Sequence, residues 1–305
     1  MKLGLLTAAF PDLTLDQIAD WASANGFEAL EIACWPAGEG AQRRYAGVCH
    51  IDVERLDEAE ARRIVDGLAA RGLTISALAY YPNNLDPDLE ARERAHEHLR
   101  KVIDAAPLLG VDIVGTFVGR DKARDVPANL EEFRRVWPDL IGHAAGRGVR
   151  VAIENCPMIF SWDEWPGGTN LAATPAIWRE LFAAVPDEHF GLNLDPSHLV
   201  WLHIDYERAV YDFADRIFHV HAKDMEVHTD GLYEHGVLSL GMGWQVPRLP
   251  GLGQVDWSRY ISALYAVGYD HVVSVEHEDR AFEGDVELVQ RGFVIARNAL
   301  RPYIA

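Results

Sequence analysis

Short apolar runs rich in β-branched residues alternate along the chain with longer segments whose apolar positions recur at helical spacing. The short runs predict strands at Leu3–Ala9, Ala29–Trp35, Thr74–Tyr80, Asp112–Val118, Arg150–Cys156, Phe190–Asp195, Ile217–Lys223 and His271–Glu276. Between them the periodicity predicts helices at Thr14–Asn25, Glu54–Arg71, Asp88–Leu109, Leu130–Arg147, Thr174–Val185, Asp205–Phe213 and Ser258–Val267, and a last one at Asp285–Arg301. Gly26, Gly72, Gly110, Gly148 and Gly268 each follow a helical run, as C-terminal caps do. Eight strands, each followed by a helix, predict an α/β fold of the (β/α)₈ TIM barrel type rather than an open doubly wound sheet. No composition break divides the chain, so residues 1–305 are expected to form a single barrel domain with extended βα loops.

Loop lengths say where function is expected. The joints from helix to strand are terse, as in Arg71-Gly72-Leu73 and Arg147-Gly148-Val149. Three joints from strand to helix are long: Pro36–Val53, Pro157–Ala173 and Ala222–Trp257. Long loops in a compact domain are commonly functional, and barrel enzymes build their sites on the rim these three leave from. They and the strand ends beside them hold Trp35, Tyr45, Trp162, Trp165, Tyr233 and Trp244. Lineage insertions and subunit contacts are the plainer alternatives.

Composition narrows the class. Hydrophobic residues make up 49% of the chain and charged residues 25%, the balance of a globular protein with a full core. No apolar stretch is long enough for a membrane span, and Pro11 and Asp12 interrupt the apolar start too soon for a signal peptide. The three cysteines, Cys34, Cys49 and Cys156, are widely spaced and odd in number, which predicts free thiols and a cytoplasmic location. A net charge of −19 opposes binding to a polyanion, so no nucleic-acid partner and no membrane partner are expected.

Chemistry gathers at the ends of the last four strands. Strand five ends in Ile153-Glu154-Asn155, strand six in Leu194-Asp195-Pro196-Ser197-His198, strand seven in His219-Val220-His221-Ala222-Lys223-Asp224, and strand eight in Val275-Glu276-His277-Glu278. A lone acid at a strand end is commonly a helix cap, and Asp195 before Pro196 fits that role. Four neighbouring strands that each end in an acid or imidazole need a shared counter-charge. One divalent metal ion on the barrel axis meets the need. An oxygen-rich set suits Mn²⁺ first, with Mg²⁺, Co²⁺ and Zn²⁺ as alternatives. Alternation along strand seven makes His221 the rim ligand and His219 a hydrogen-bonded residue beneath it.

These motifs, with Pro250-Gly251-Leu252-Gly253-Gln254-Val255-Asp256-Trp257, resemble the xylose isomerase-like TIM barrels, in particular the sugar phosphate isomerase/epimerase family with its ketose 3-epimerases. The resemblance runs over essentially the full chain. It implies that Glu154, Asp195, His221 and Glu276 bind one divalent metal, and that Glu154 and Glu276 are also the catalytic acid and base. It further implies substrate contacts from His198 and Arg248; Trp35, at the same rim, is the third expected contact. The sequence departs from the ketose epimerases at Phe160, where they carry an acid, and this leaves the substrate open.

The expected reaction is abstraction of a proton beside a sugar carbonyl through a metal-stabilised enediolate, giving epimerisation or isomerisation. The alternative enzyme is a metal-dependent lyase of the C-glycoside deglycosidase type, eliminating a group from an oxidised sugar. The non-enzyme alternative is a barrel that binds a sugar or a partner protein. A small-molecule sugar is the expected partner, with a homo-oligomer or a hetero-subunit as further possibilities. The segment Ala222–Trp257, with Met242, Trp244 and Arg248, is expected to cover the substrate, against packing on a second subunit.

Overall fold

The computed structural model describes residues 1–37, 47–159, 168–239 and 243–304. Eight strands close into a parallel barrel in the ring order β1 (Lys2–Leu6), β2 (Ala29–Ala33), β3 (Thr74–Ala79), β4 (Ile113–Thr116), β5 (Arg150–Glu154), β6 (Phe190–Leu194), β7 (Ile217–Ala222) and β10 (Val272–Val275). The ring closes because β10 pairs with both β1 and β7, for example Leu5 with Val275 and His221 with Ser274. Every residue of β2, β4, β6, β7 and β10 is buried, which explains why these short strands are mostly apolar and do not alternate with solvent-facing polar residues.

Around the barrel lie α1 (Leu15–Ala24), α2 (Glu58–Ala69), α3 (Leu89–Ala105), α4 (Val126–Ala145), α5 (Pro175–Ala184), α6 (Pro196–Trp201), α7 (Tyr206–Asp212), α9 (Trp257–Ala266) and α10 (Val286–Leu300). Their apolar stripes face inward. On α4 the stripe is Leu130, Phe133, Trp137, Leu140, Ile141 and Ala144, all buried at three- and four-residue spacing. Much of the acidic excess is structural. Asp57, Asp88, Asp125, Asp205, Asp256 and Asp285 each accept a backbone N–H at a helix start. Such caps typically contribute about 1 kcal/mol each and place negative charge at the positive end of the helix dipole.

Two departures from the predicted elements have local causes. The Asp125 cap, with a proline in the first turn, starts α4 at Val126 rather than Leu130. The chain after β1 turns as a 3₁₀ helix over Thr7–Ala9 instead of continuing as a strand.

A third departure is larger. The segment predicted as a long loop holds a two-stranded antiparallel hairpin, β8 (Asp224–Val227) with β9 (Gln245–Arg248), and a short helix α8 (Thr229–His235). Trp244, expected to shield substrate, is 1% exposed and packs edge-on to Trp201 of α6, beside Ile159 and Met225. Tyr45, Phe160, Trp162, Trp165 and Met242 lie outside the described residues. No helix among the described residues is long and apolar enough to cross a membrane.

Candidate metal centre

Parallel strands in a closed barrel all point their carboxyl ends at one rim, so residues at those ends converge without any loop bringing them together. Glu154 is the last residue of β5, Asp195 follows β6, His221 is the fifth residue of β7, and Glu276 follows β10. Each of the four offers a ligand atom within 4.8 Å of the others, and all four side chains are buried. His221 Nδ1 lies 3.3 Å from both Glu154 Oε1 and Glu276 Oε2, so the two acids flank the imidazole.

Asp195 divides its oxygens between two roles. Oδ1 accepts the Ser197 N–H at 2.8 Å and caps α6. Oδ2 faces His198 Nε2 at 3.3 Å and Lys223 Nζ at 3.2 Å, and among the described residues neither of these two buried atoms, Oδ2 and His198 Nε2, finds a hydrogen-bond partner. His198 Nε2 also approaches Glu154 Oε1 at 3.6 Å, which puts the predicted substrate contact inside the acid cluster.

Lys223 was not singled out by sequence as a site residue. Its ammonium lies 2.5 Å from Glu276 Oε2, 3.0 Å from Glu278 Oε2 and 3.9 Å from Glu154 Oε1, beside Asp195. Burial opposes its charge, but these acids hold it protonated well above the ordinary lysine range. One ammonium and the imidazoles of His198 and His221 face four buried carboxylates with Glu31 beneath them, so three positive groups at most meet five negative ones and the cluster is short of positive charge. That shortage, the unbonded Asp195 Oδ2 and the oxygen-rich donor set together fit a divalent cation held by Glu154, Asp195, His221 and Glu276.

Electrostatics follow the same geometry. Burial raises the Glu154 carboxyl, but the neighbouring imidazoles of His198 and His221 and the charge of Lys223 outweigh it and leave the group below its usual range. Burial pushes the Asp195 carboxyl up, against the pull of Lys223 and His198. Burial and the charge of Glu154 raise Glu276, yet Lys223 and His221 prevail and lower it. Burial raises the Cys156 thiol and outweighs the opposing pull of His198 and Lys223, so that neighbour is not activated as a nucleophile.

Beneath the acids the barrel interior is polar. Glu31 of β2, fully buried, accepts from His221 Nε2 at 2.8 Å, Ser274 Oγ at 3.0 Å and Tyr81 Oη at 2.8 Å. His219 bridges Asn193 Oδ1 at 3.1 Å and Ser76 Oγ at 3.2 Å, which places it in the hydrogen-bonded layer under His221. The signal for Glu31 was present in sequence as one acid inside the apolar run Ala29-Leu30-Glu31-Ile32-Ala33.

The remaining motifs are explained by packing. Asp224 Oδ1 accepts the Met225 and Val255 N–H groups at 2.9 Å, and Oδ2 accepts Gly251 N–H at 3.0 Å and Trp257 Nε1–H at 2.9 Å. The acid of strand seven therefore ties down the Gly-rich turn before α9. A methyl on Gly253 would come 2.3 Å from Asp224 Oδ1, so only glycine fits there. Arg248 is held at the rim by Asp279 at 3.2 Å and Glu226 at 3.3 Å. Trp35 stands 6.0 Å from the Tyr81 ring, which is itself 6.0 Å from the His221 ring. It reaches the acid cluster through Tyr81.

Residues 19–297 match the family model described as xylose isomerase-like TIM barrel. An uncharacterised protein of Bacillus subtilis (strain 168), YfiH, is 26% identical over 313 residues, covering 92% of this chain and 93% of its own. The D-psicose 3-epimerase of Clostridium cellulolyticum H10, solved with D-tagatose, superposes with a TM-score of 0.71 at 16% identity, covering 100% of this chain and 99% of that one. The probable 3-DHS dehydratase AsbF of Bacillus anthracis superposes with a TM-score of 0.70 at 20% identity, covering 99% of each. At such identities the two solved structures establish the fold alone. The match over most of the length establishes the family: the chain belongs to the xylose isomerase-like TIM barrels.

Proposed function

We propose that this protein is a metal-dependent sugar isomerase or epimerase whose single divalent ion, Mn²⁺ in the first instance, is held by Glu154, Asp195, His221 and Glu276. The observation that carries the proposal is the convergence of these four buried ligand atoms within 4.8 Å, at the ends of four consecutive strands of the ring. A divalent ion there supplies Lewis acidity, lowering the barrier to removing a proton beside a chelated carbonyl. The chain's own residues do the rest. One of the two carboxylates flanking His221, Glu154 or Glu276, accepts the carbon-bound proton, and the other returns one to the opposite face. Return to the same carbon epimerises the sugar; return to the neighbouring carbon interconverts aldose and ketose. His198, buried against Asp195 and Glu154, is placed to donate to a sugar oxygen. Burial of all these groups keeps bulk water from competing for the abstracted proton.

Elimination is kept as a second reading on one observation. Lys223 puts a third proton-carrying group beside Glu276, and a leaving group β to the carbanion needs such an acid. The likeness to a probable dehydratase is consistent with it.

The test is a panel of free, phosphorylated and oxidised sugars in D₂O with Mn²⁺, followed by NMR. Deuterium entering a carbon beside a carbonyl, lost on chelation, is expected. A complete absence of exchange and turnover across the panel, with ion bound, overturns the enzyme reading in favour of a sugar-binding barrel. Loss of a substituent with an alkene signal selects elimination.

A further inference from the structure

The fully buried carboxylate of Glu31 lies on β2, separated from β7 around the ring by β1 and β10, and the four candidate ligands do not include it. Its Oε2 accepts a hydrogen bond from His221 Nε2 at 2.8 Å, and the opposite ring nitrogen, Nδ1, is the one that faces Glu154 and Glu276. A neutral imidazole that donates from one nitrogen has its lone pair on the other, so with Nε2 bonded to Glu31 it is Nδ1, bonded to Glu154 in the ion-free protein, that ligates once it gives up its proton.

The carboxylate is itself fixed. Ser274 Oγ and Tyr81 Oη donate to it, and Asn193 Nδ2 donates to the Tyr81 oxygen at 2.9 Å. Room for Tyr81 comes from Gly115, where a methyl would sit 2.3 Å from the phenol oxygen. Side chains from β2, β6 and β10 and from the residues after β3 thus converge on the orientation of one ring on β7.

We propose that Glu31 is a positioning residue, holding His221 as the tautomer that ligates through Nδ1. The inference rests on the metal-binding reading above. A second ion held by Glu31, His219 and His221 is the competing arrangement, since these also offer atoms within 4.8 Å of one another. The distances speak against it. Both ring nitrogens of His219 are engaged by Asn193 and Ser76, and its Nδ1 is 4.0 Å from Glu31.

Two measurements test the proposal, and neither depends on turnover. In wild-type protein loaded with Zn²⁺, long-range ¹H–¹⁵N spectra of the histidines should show Nδ1 of His221 bound to the ion and Nε2 carrying a proton. Ligation through Nε2 overturns the proposal, and this result needs no variant to fold. Competition calorimetry with Mn²⁺ should then give one equivalent for both wild type and Glu31→Gln, with the variant's Kd raised about 10- to 100-fold. Equal affinity in a folded variant overturns it. Two equivalents in the wild type, falling to one in Glu31→Gln, overturn it in favour of the second ion. A wild type that binds no ion at all overturns the ligand assignment itself, and the inference with it, and is told apart by the missing wild-type isotherm.

Discussion

Lys223 Nζ sits 2.5 Å from Glu276 Oε2, with the lysine 1% and the glutamate 8% exposed. This is a buried ion pair inside the set of candidate ligands, and it compensates carboxylates that a divalent ion would also compensate. Removing one partner of such a pair costs on the order of 3–5 kcal/mol, because the other charge is left buried. Lys223→Met is expected to lower the melting temperature in EDTA by several degrees. The rise on adding Mn²⁺ should then be larger than in wild type, since the ion takes over the compensation. Thermal melts with and without Mn²⁺ check this; an unchanged melting temperature in EDTA would show that the ammonium is not the counter-charge.

The two flanking acids separate binding from chemistry. Glu154→Gln and Glu276→Gln each keep an oxygen toward the ion but lose the proton acceptor. Each is expected to lower turnover at least about 10²-fold while retaining bound metal. Turnover at the wild-type level in both, measured beside elemental analysis, refutes their proposed role.

Gly253 tests the clamp on Asp224. Alanine there places a methyl 2.3 Å from a carboxylate oxygen that already accepts two N–H groups. Overpacking of this kind costs about 1–3 kcal/mol. Gly253→Ala should lower the melting temperature and shift the Trp257 fluorescence, since the indole N–H bonds to the same carboxylate. A variant with the wild-type melt and spectrum would mean that the turn relaxes freely.

A pH dependence follows from His96. Burial lowers its pKa from the model-compound 6.5, helped by Arg100 and Arg92 and only partly opposed by its bond to the Asn84 carbonyl. The unfolded chain therefore binds a proton that the folded chain refuses as pH falls below 6.5, so this histidine costs stability on the acid side. Relative to His96→Gln, wild type should lose more stability as pH falls through that window. Denaturant melts between pH 8 and 5 measure the gap; parallel curves for the two proteins reject it.

Much of this was legible in sequence, for a physical reason. A parallel barrel makes every strand a short apolar run and every strand end a neighbour of the next, so the acids at Glu154, Asp195 and Glu276 and the imidazole at His221 could be gathered from position alone. Glu31 escaped because it sits within its strand and its partners, Tyr81, His221 and Ser274, are 50, 190 and 243 residues away in sequence. Lys223 was quoted within a motif but given no role, because the depth of a side chain beyond a strand end depends on where the chain turns. The hairpin after β7 was not legible because pairing of β8 with β9 across seventeen intervening residues is a tertiary event. Asp195 was read as either a cap or a ligand; one oxygen caps while the other faces the cluster.

The Asp224 clamp has a consequence for how this barrel can change. Asp224 opens the hairpin, pairs in register with Arg248 where β9 ends, and holds Gly251, Val255 and Trp257 just beyond. The excursion thus leaves and rejoins the barrel at a single fastened point, directly above the strand that carries His221. Met225 and Trp244, within the excursion, add a second anchorage against Trp201 of α6. The part of the excursion around α8, away from these fastenings, is therefore where a change of length is expected to disturb the strand that carries His221 least.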